Sequence, residues 1–167
     1  MNVQFWGSSI HGDEYYTRRE DAEIIAENLL RIPLKVWCPF NDAKSVWADV
    51  LRERGFDVVT TDTDFFATEP PQGVQCIISN PPFSLKKAVM DRIKELNLRF
   101  CLILPFQWLN DGVPLEYGYQ VMFFRQRMYF DTPQWVMKNP RANCFVLSDG
   151  LLKEKITFID KKNRGET

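Results

Sequence analysis

Four consecutive residues, Asn80-Pro81-Pro82-Phe83, carry the densest ligand-directed chemistry in this 167-residue sequence. Each proline removes a backbone donor and fixes φ, so the segment is stiff and presents carbonyl oxygens without competing N–H groups. Asn80 adds a side-chain carbonyl acceptor. Phe83 offers a flat ring. Convergent acceptors beside an aromatic face in a rigid loop suit an amino group on a planar ring. A bare Asn-Pro-Pro also reads as a turn that ends a strand, so the surrounding elements decide between the two.

Those elements alternate. Thr17 stands before Arg18-Arg19-Glu20-Asp21, with Glu20 three positions on, which predicts a capping box. Ala22, Ile25, Ala26, Leu29 and Leu30 recur at helical spacing, and Pro33 ends that helix. Leu34-Lys35-Val36-Trp37-Cys38 reads as a strand and Pro39-Phe40-Asn41-Asp42 as a loop. A helix is expected from about Ala43 to Arg54, with Gly55 as its stop. Phe56-Asp57-Val58-Val59-Thr60 is a second strand leading into Thr61-Asp62. Val74-Gln75-Cys76-Ile77-Ile78 is a third and runs into the strip. Ser84 opens a helix to about Asn97, and Phe100-Cys101-Leu102-Ile103-Leu104 is a fourth strand stopped by Pro105. This βαβ rhythm, with continuous rather than alternating apolar runs, predicts a parallel sheet buried on both faces. The strip then lies at a strand's carboxyl end, where open α/β sheets bind ligands. Beyond residue 106 the pattern weakens. Met128-Tyr129-Phe130, Asn143 to Leu147 and Ile156 to Ile159 read as strands, the last two as an antiparallel hairpin around Asp149-Gly150. Residues 1–13 and 161–167 read as irregular ends of a single domain spanning 1–167.

Composition bounds the partners. Lys and Arg number 21 against 22 Asp and Glu, a formal net charge of -1. No global basic field is available to hold a nucleic acid, so such a contact needs a local patch. Lys86-Lys87, Arg125, Arg127, Lys138 and Arg141 are the candidates, although each also reads as a solvated surface charge. Cys38, Cys76, Cys101 and Cys144 show no CxxC spacing. Cys76, Cys101 and Cys144 sit inside apolar runs and read as reduced core residues, which points to a cytoplasmic protein and away from a metal site. The 13 Phe, 5 Trp and 5 Tyr read chiefly as core. No run is long enough to span a bilayer. His11, the only histidine, reads as an incidental loop residue, whereas Trp108 and Asn110 fall near the expected pocket mouth.

Asn80-Pro81-Pro82-Phe83 resembles the N/D-P-P-Y/F motif of amino-methyltransferases with the Rossmann-like methyltransferase fold. The wider pattern is similar to small phage and bacterial DNA N6-adenine methyltransferases. The likeness is carried by Tyr15-Tyr16-Thr17, Val36-Trp37-Cys38-Pro39-Phe40-Asn41, Val58-Val59-Thr60-Thr61-Asp62 with Asp64-Phe65-Phe66, Ile77 to Ser84, and Leu102-Ile103-Leu104-Pro105. It covers about residues 14–110.

The resemblance implies a mostly parallel seven-stranded sheet with an antiparallel edge hairpin, S-adenosyl-L-methionine as cofactor, no metal, and the adenine N6 amino group, in DNA, as substrate. It assigns Asn80, Pro81, Pro82 and Phe83 to catalysis. Tyr15, Tyr16 and Thr17 would touch the methionine end of the cofactor, and Cys38, Pro39 and Asn41 would form its floor. Asp62 would accept from the ribose hydroxyls, while Asp64 and Phe65 would meet the cofactor adenine. The loop after the first strand departs from the family in lacking glycine. That departure motivates a different reading, a catalytically silent binding subunit or inhibitor. RNA adenine and protein glutamine methyltransferases use a similar strip and are further alternatives.

Overall fold

The computed structural model describes residues 15–41, 45–111, 118–131 and 141–161. The expected His11 loop, Lys138 and the tail beyond Lys161 lie outside the described residues. In chain order the elements are β1 (Tyr16–Thr17), α1 (Arg19–Glu27), β2 (Lys35–Cys38), α2 (Trp47–Glu53), β3 (Asp57–Thr60), β4 (Cys76–Ser79), α3 (Lys86–Glu95), β5 (Arg99–Pro105), β6 (Gln120–Phe124), β7 (Met128–Asp131), β8 (Arg141–Ala142), β9 (Cys144–Ser148) and β10 (Ile156–Ile159). Short 3-10 turns cover Phe83–Leu85 and Phe106–Asp111.

Seven strands form one sheet in the order β10-β6-β9-β5-β4-β2-β3. All run parallel except β9, which is antiparallel to both β5 and β6. The continuous apolar runs have the expected cause. Along β2, β4, β5 and β9 successive side chains enter opposite cores. Val36, Cys38, Cys76, Ile78, Cys101, Ile103, Cys144 and Val146 pack with α1 and α2. Trp37, Ile77, Phe100, Leu102, Leu104, Phe145 and Leu147 pack with Val89, Met90 and Ile93 of α3. A strand buried on both faces has no polar face to alternate with. The two helices before β3 and β5 stop through the same motif. Phe56 N–H donates to Leu51 and Gly55 N–H to Arg52, and Leu98 N–H and Asn97 N–H repeat the pattern on Ile93 and Lys94. Gly55 and Asn97 take positive φ there, as the motif requires.

Two expectations need correction. Residues 144–148 and 156–159 do not form an edge hairpin. After β9 the chain turns at Gly150 and buries Leu151 and Leu152 against the end of α1, where Leu30 N–H donates to the Leu151 carbonyl. That detour carries β10 to the far side of β6, to which it pairs in parallel. β9, buried at every position, sits inside the sheet, whereas β10 exposes Ile156 and Phe158 and suits an edge. Thr17 is likewise not the cap of α1. Arg18 occupies that position without a side-chain hydrogen bond, because Thr17 is paired in β1 and its hydroxyl accepts from Trp47 Nε1 at 3.3 Å.

A second, three-stranded antiparallel sheet, β1-β7-β8, joins the start of the described chain to its last third. Its inward residues Thr17, Met128 and Phe130 are buried.

Candidate functional site

The strands β2, β3, β4 and β5 are parallel and in register, so their carboxyl ends share one edge of the sheet. That edge gathers the loop from Pro39 to Asn41, Thr61-Asp62, the strip Asn80–Phe83 and the turn that begins at Phe106. Sequence position alone brings these four segments together once the sheet forms.

Asn80 is the best-defined side chain of the group. Its Nδ2 donates to the Tyr15 carbonyl at 2.8 Å. A carbonyl only accepts, so this contact fixes which end of the amide is which. Asn80 Oδ1 is consequently turned the other way, and it is buried without a hydrogen-bond partner in the structure. An orphan buried acceptor costs about 1–3 kcal/mol, a cost that an arriving amino group would relieve. Nearby carbonyls are less available. Pro82 accepts from Leu85 N–H at 3.1 Å, and Phe83 accepts from Lys86 Nζ at 3.3 Å. Pro81 is buried and Pro82 half-buried.

Phe83 stands in an aromatic cluster. Its ring stacks on Tyr15 with centroids 5.9 Å apart and an interplanar angle of 18°. Phe130 of β7 meets both rings edge-on, at 5.7 Å from Tyr15 and 6.1 Å from Phe83. The small sheet therefore braces the strip. Phe130 is a member of the site that the sequence pattern does not mark. The strand around it was legible, but nothing local links position 130 to positions 15 and 83.

The remaining expected cofactor residues are placed unevenly. Tyr16 is half-buried in β1, while Thr17 is buried with its hydroxyl engaged by Trp47. Cys38 and Pro39 are buried at the end of β2. Burial pushes the Cys38 thiol well up, and Cys76 and Cys144 up to about 12, so these cysteines are neutral packing groups. Asn41 Oδ1 accepts from Ala48 N–H at 3.2 Å and ties the loop to the first turn of α2. Asp62 is exposed just beyond β3. Asp64 Oδ1 accepts from Phe66 N–H at 2.9 Å, which shapes its own turn. Phe65 is fully buried against Trp37 and Phe40, at 5.5 and 4.9 Å. Its ring is enclosed on all sides, whereas the neighbouring Phe66 is 36% exposed. Trp108 is a core residue and Asn110 is exposed. Among the described residues no cluster of histidine, cysteine, aspartate and glutamate could hold a metal ion, and no helix is long and apolar enough to cross a membrane.

Among the described basic candidates, Lys86, Lys87 and Arg125 are drawn into contacts of their own. Lys87 pairs with Asp91 at 2.7 Å and Arg125 with Asp160 at 3.6 Å. Lys86 folds back on the strip. Arg127 and Arg141 are exposed at the two ends of the β7-β8 pair.

The three-layer arrangement around a mostly parallel seven-stranded sheet is the Rossmann-like methyltransferase fold. Comparison with solved structures bears this out: a structure of the 23S rRNA methyltransferase ErmE superposes with a TM-score of 0.53 at 14% identity, covering 82% of this chain and 71% of that one. A predicted O-methyltransferase from Agrobacterium tumefaciens gives a TM-score of 0.46 at 12% identity over 84% of each chain. A dimethyladenosine transferase from Plasmodium falciparum gives 0.46 at 9% identity over 81% of this chain and 64% of that one. No family model and no curated protein matches the sequence.

Proposed function

We propose that the chain is an S-adenosyl-L-methionine-dependent methyltransferase acting on the N6 amino group of adenine in a nucleic acid, with DNA as the favoured polymer. The observation that supports this most is the buried, unpartnered Oδ1 of Asn80 at the carboxyl edge of the sheet.

The residues present fit such a cofactor in part. Asp62 is exposed at the end of β3 and would accept from ribose hydroxyls. Phe66 would supply a flat wall, and the backbone from Cys38 to Asn41 a floor beside Tyr15. When bound, the cofactor supplies an electrophilic methyl group on a sulfonium. The chain's own task is to make the nitrogen nucleophilic. An adenine amino nitrogen is a weak nucleophile because its lone pair is delocalised into the ring. Asn80 Oδ1, accepting one amino hydrogen, favours a pyramidal nitrogen with a localised pair. The rigid prolines and the Tyr15 tie keep that acceptor in place before the base arrives, so little reorganisation accompanies the reaction. Phe83 would hold the ring by stacking, worth about 1–3 kcal/mol per base.

A second reading takes RNA as substrate, and the likeness to a structure of a 23S rRNA methyltransferase favours it. Incubation of the protein with methyl-labelled cofactor and DNA, RNA or cell protein separates these and the glutamine alternative. The same assay on Asn80→Ala tests the strip: transfer is expected to collapse while S-adenosylhomocysteine still binds. Turnover that survives the substitution refutes the assignment. Absence of S-adenosylhomocysteine binding to the native protein at millimolar ligand supports the silent binding module instead.

A further inference from the structure

The small sheet has two unlike faces. Inward, Thr17, Met128 and Phe130 are buried and Ala142 half-buried, and Phe130 braces the strip. Outward, Tyr129 is 39% exposed and stands directly across from Arg141, its exposed register partner. Asp131 and Tyr16 share the next outward pair. The guanidinium of Arg18 lies over the Tyr129 ring, 5.4 Å from its centroid, and also contacts Asp131 at 3.2 Å. Arg127 is exposed at the entry to β7. Neither Arg127 nor Arg141 has an ion-pair partner among the described residues. Among the described residues this surface collects three arginines against one aspartate, around an accessible aromatic ring, in a chain whose overall charge is -1.

We infer that this outward face is the surface on which the nucleic-acid strand carrying the target base lies, with Arg127 and Arg141 on its phosphates and Tyr129 against a neighbouring base. The inference rests on the methyltransferase reading proposed above. Charge complementarity selects the occupant. Guanidinium groups bind phosphate in bidentate fashion, and basic side chains interleaved with an aromatic are the combination that holds single strands without reading sequence. The location fits the same use. Tyr15, whose carbonyl orients Asn80, is joined directly to β1, so the sheet that would grip the strand is the sheet that braces the catalytic strip. Arg18 lies over one face of the Tyr129 ring, which remains 39% exposed.

Binding of a fluorescent adenine-containing DNA strand, and of RNA of the same sequence, is measured by anisotropy across a salt series for the full chain. Arg127→Glu and Arg141→Glu are each expected to weaken binding at least ten-fold and to flatten the salt dependence by about one counterion per lost contact. Tyr129→Ala is expected to weaken it about five- to hundred-fold, and Tyr129→Phe to restore it. Arg31→Glu serves as the charge-matched control, because Arg31 is exposed in the segment leading into β2, at the opposite edge of the sheet. The tighter of the two nucleic acids names the polymer. An unchanged affinity and salt slope in both arginine variants overturns the inference, as does an equal loss in Arg31→Glu or a native protein that binds neither strand. Methyl transfer is followed in parallel. Native binding with these shifts but without transfer removes the methylation reading and leaves the surface standing. Transfer with an unaltered KM for the strand in the variants removes the surface and leaves the reaction.

Discussion

Asn80 Nδ2 donates to the backbone carbonyl of Tyr15 at 2.8 Å, across 65 positions of sequence, and this single contact decides where the Asn80 oxygen points. Because the acceptor it holds is buried and unpartnered, the amide is spent on two jobs, anchoring with one end and waiting with the other.

Asn80→Ala should therefore separate function from folding. A preorganised polar group at a reacting centre is worth about 10²- to 10³-fold in kcat, and a loss of that order is expected in the methyl-transfer assay. Stability should move by only about 1 kcal/mol, since the substitution removes both a hydrogen bond and an orphan acceptor. Chemical denaturation of the variant beside its turnover provides the check.

Phe130→Ala is expected to cost about 3–5 kcal/mol, because the ring is fully buried and supports both Tyr15 and Phe83. Phe130→Leu should recover much of the stability while leaving the two rings less well held. Urea unfolding reports the first effect, and the ratio of kcat to KM in Phe130→Leu reports the second.

Thr17→Val removes the acceptor for the buried indole N–H of Trp47. A loss of about 1–3 kcal/mol follows from the unsatisfied donor. Thr17→Ser keeps the hydroxyl and should stay close to the native midpoint. Equal midpoints for valine and serine would show that the contact contributes nothing.

The fully buried carboxylate of Asp21 forms an ion pair with Lys161 Nζ. Burial raises its carboxyl above the ordinary range, with Lys161 pulling in the opposite direction. A group whose pKa is raised by folding contributes stability that is complete below its unfolded value and fades as pH rises through the folded one. The native protein should thus gain on Asp21→Asn as pH falls from neutral toward the ordinary carboxylate range. Unfolding free energies of the two proteins at pH 7.5 and pH 4.5 test this, and a difference that is flat with pH would count against it.

Asp62→Ala is expected to weaken S-adenosylhomocysteine about ten- to hundred-fold, the value of a hydrogen bond to a charged group. Stability should hold, since the side chain is exposed. Calorimetric titration reads the affinity directly.

The parallel core was legible because burial on both faces leaves continuous apolar runs, and because Gly55 marks where a helix must stop. Asn80-Pro81-Pro82-Phe83 stands out as a candidate because stiff carbonyl acceptors at a parallel strand's carboxyl end suit a ligand, although the same residues also read as a strand-ending turn. Other features carry no local signal. β6 was overlooked, although Val121-Met122-Phe123-Phe124 is an apolar run of the same kind, because the chain around it lacks the helix-strand rhythm that identified the others. The interior place of β9 depends on Leu151 and Leu152 finding the end of α1, a contact across more than 120 positions. Thr17 has the spacing of a cap, but β7 offers it a strand partner and Trp47 offers it a donor, and those tertiary contacts prevail. Phe65 and Phe66 are indistinguishable in sequence, and only packing assigns one to the core and the other to the surface.

The pairing of β1 with β7 also sets a clock. Arg18 and Asp131, which meet beside that pair, are separated by 113 positions. During synthesis the strip at 80–83 is made well before the strand that secures Tyr15. At ordinary elongation speeds of about 5–20 residues per second, the interval is roughly 2–10 s. Throughout it Asn80 has a carbonyl to find but no sheet to hold that carbonyl still. The arrangement of Asn80, Tyr15 and Phe83 thus has its full support only after β7 has been made and can pair with the amino-terminal segment.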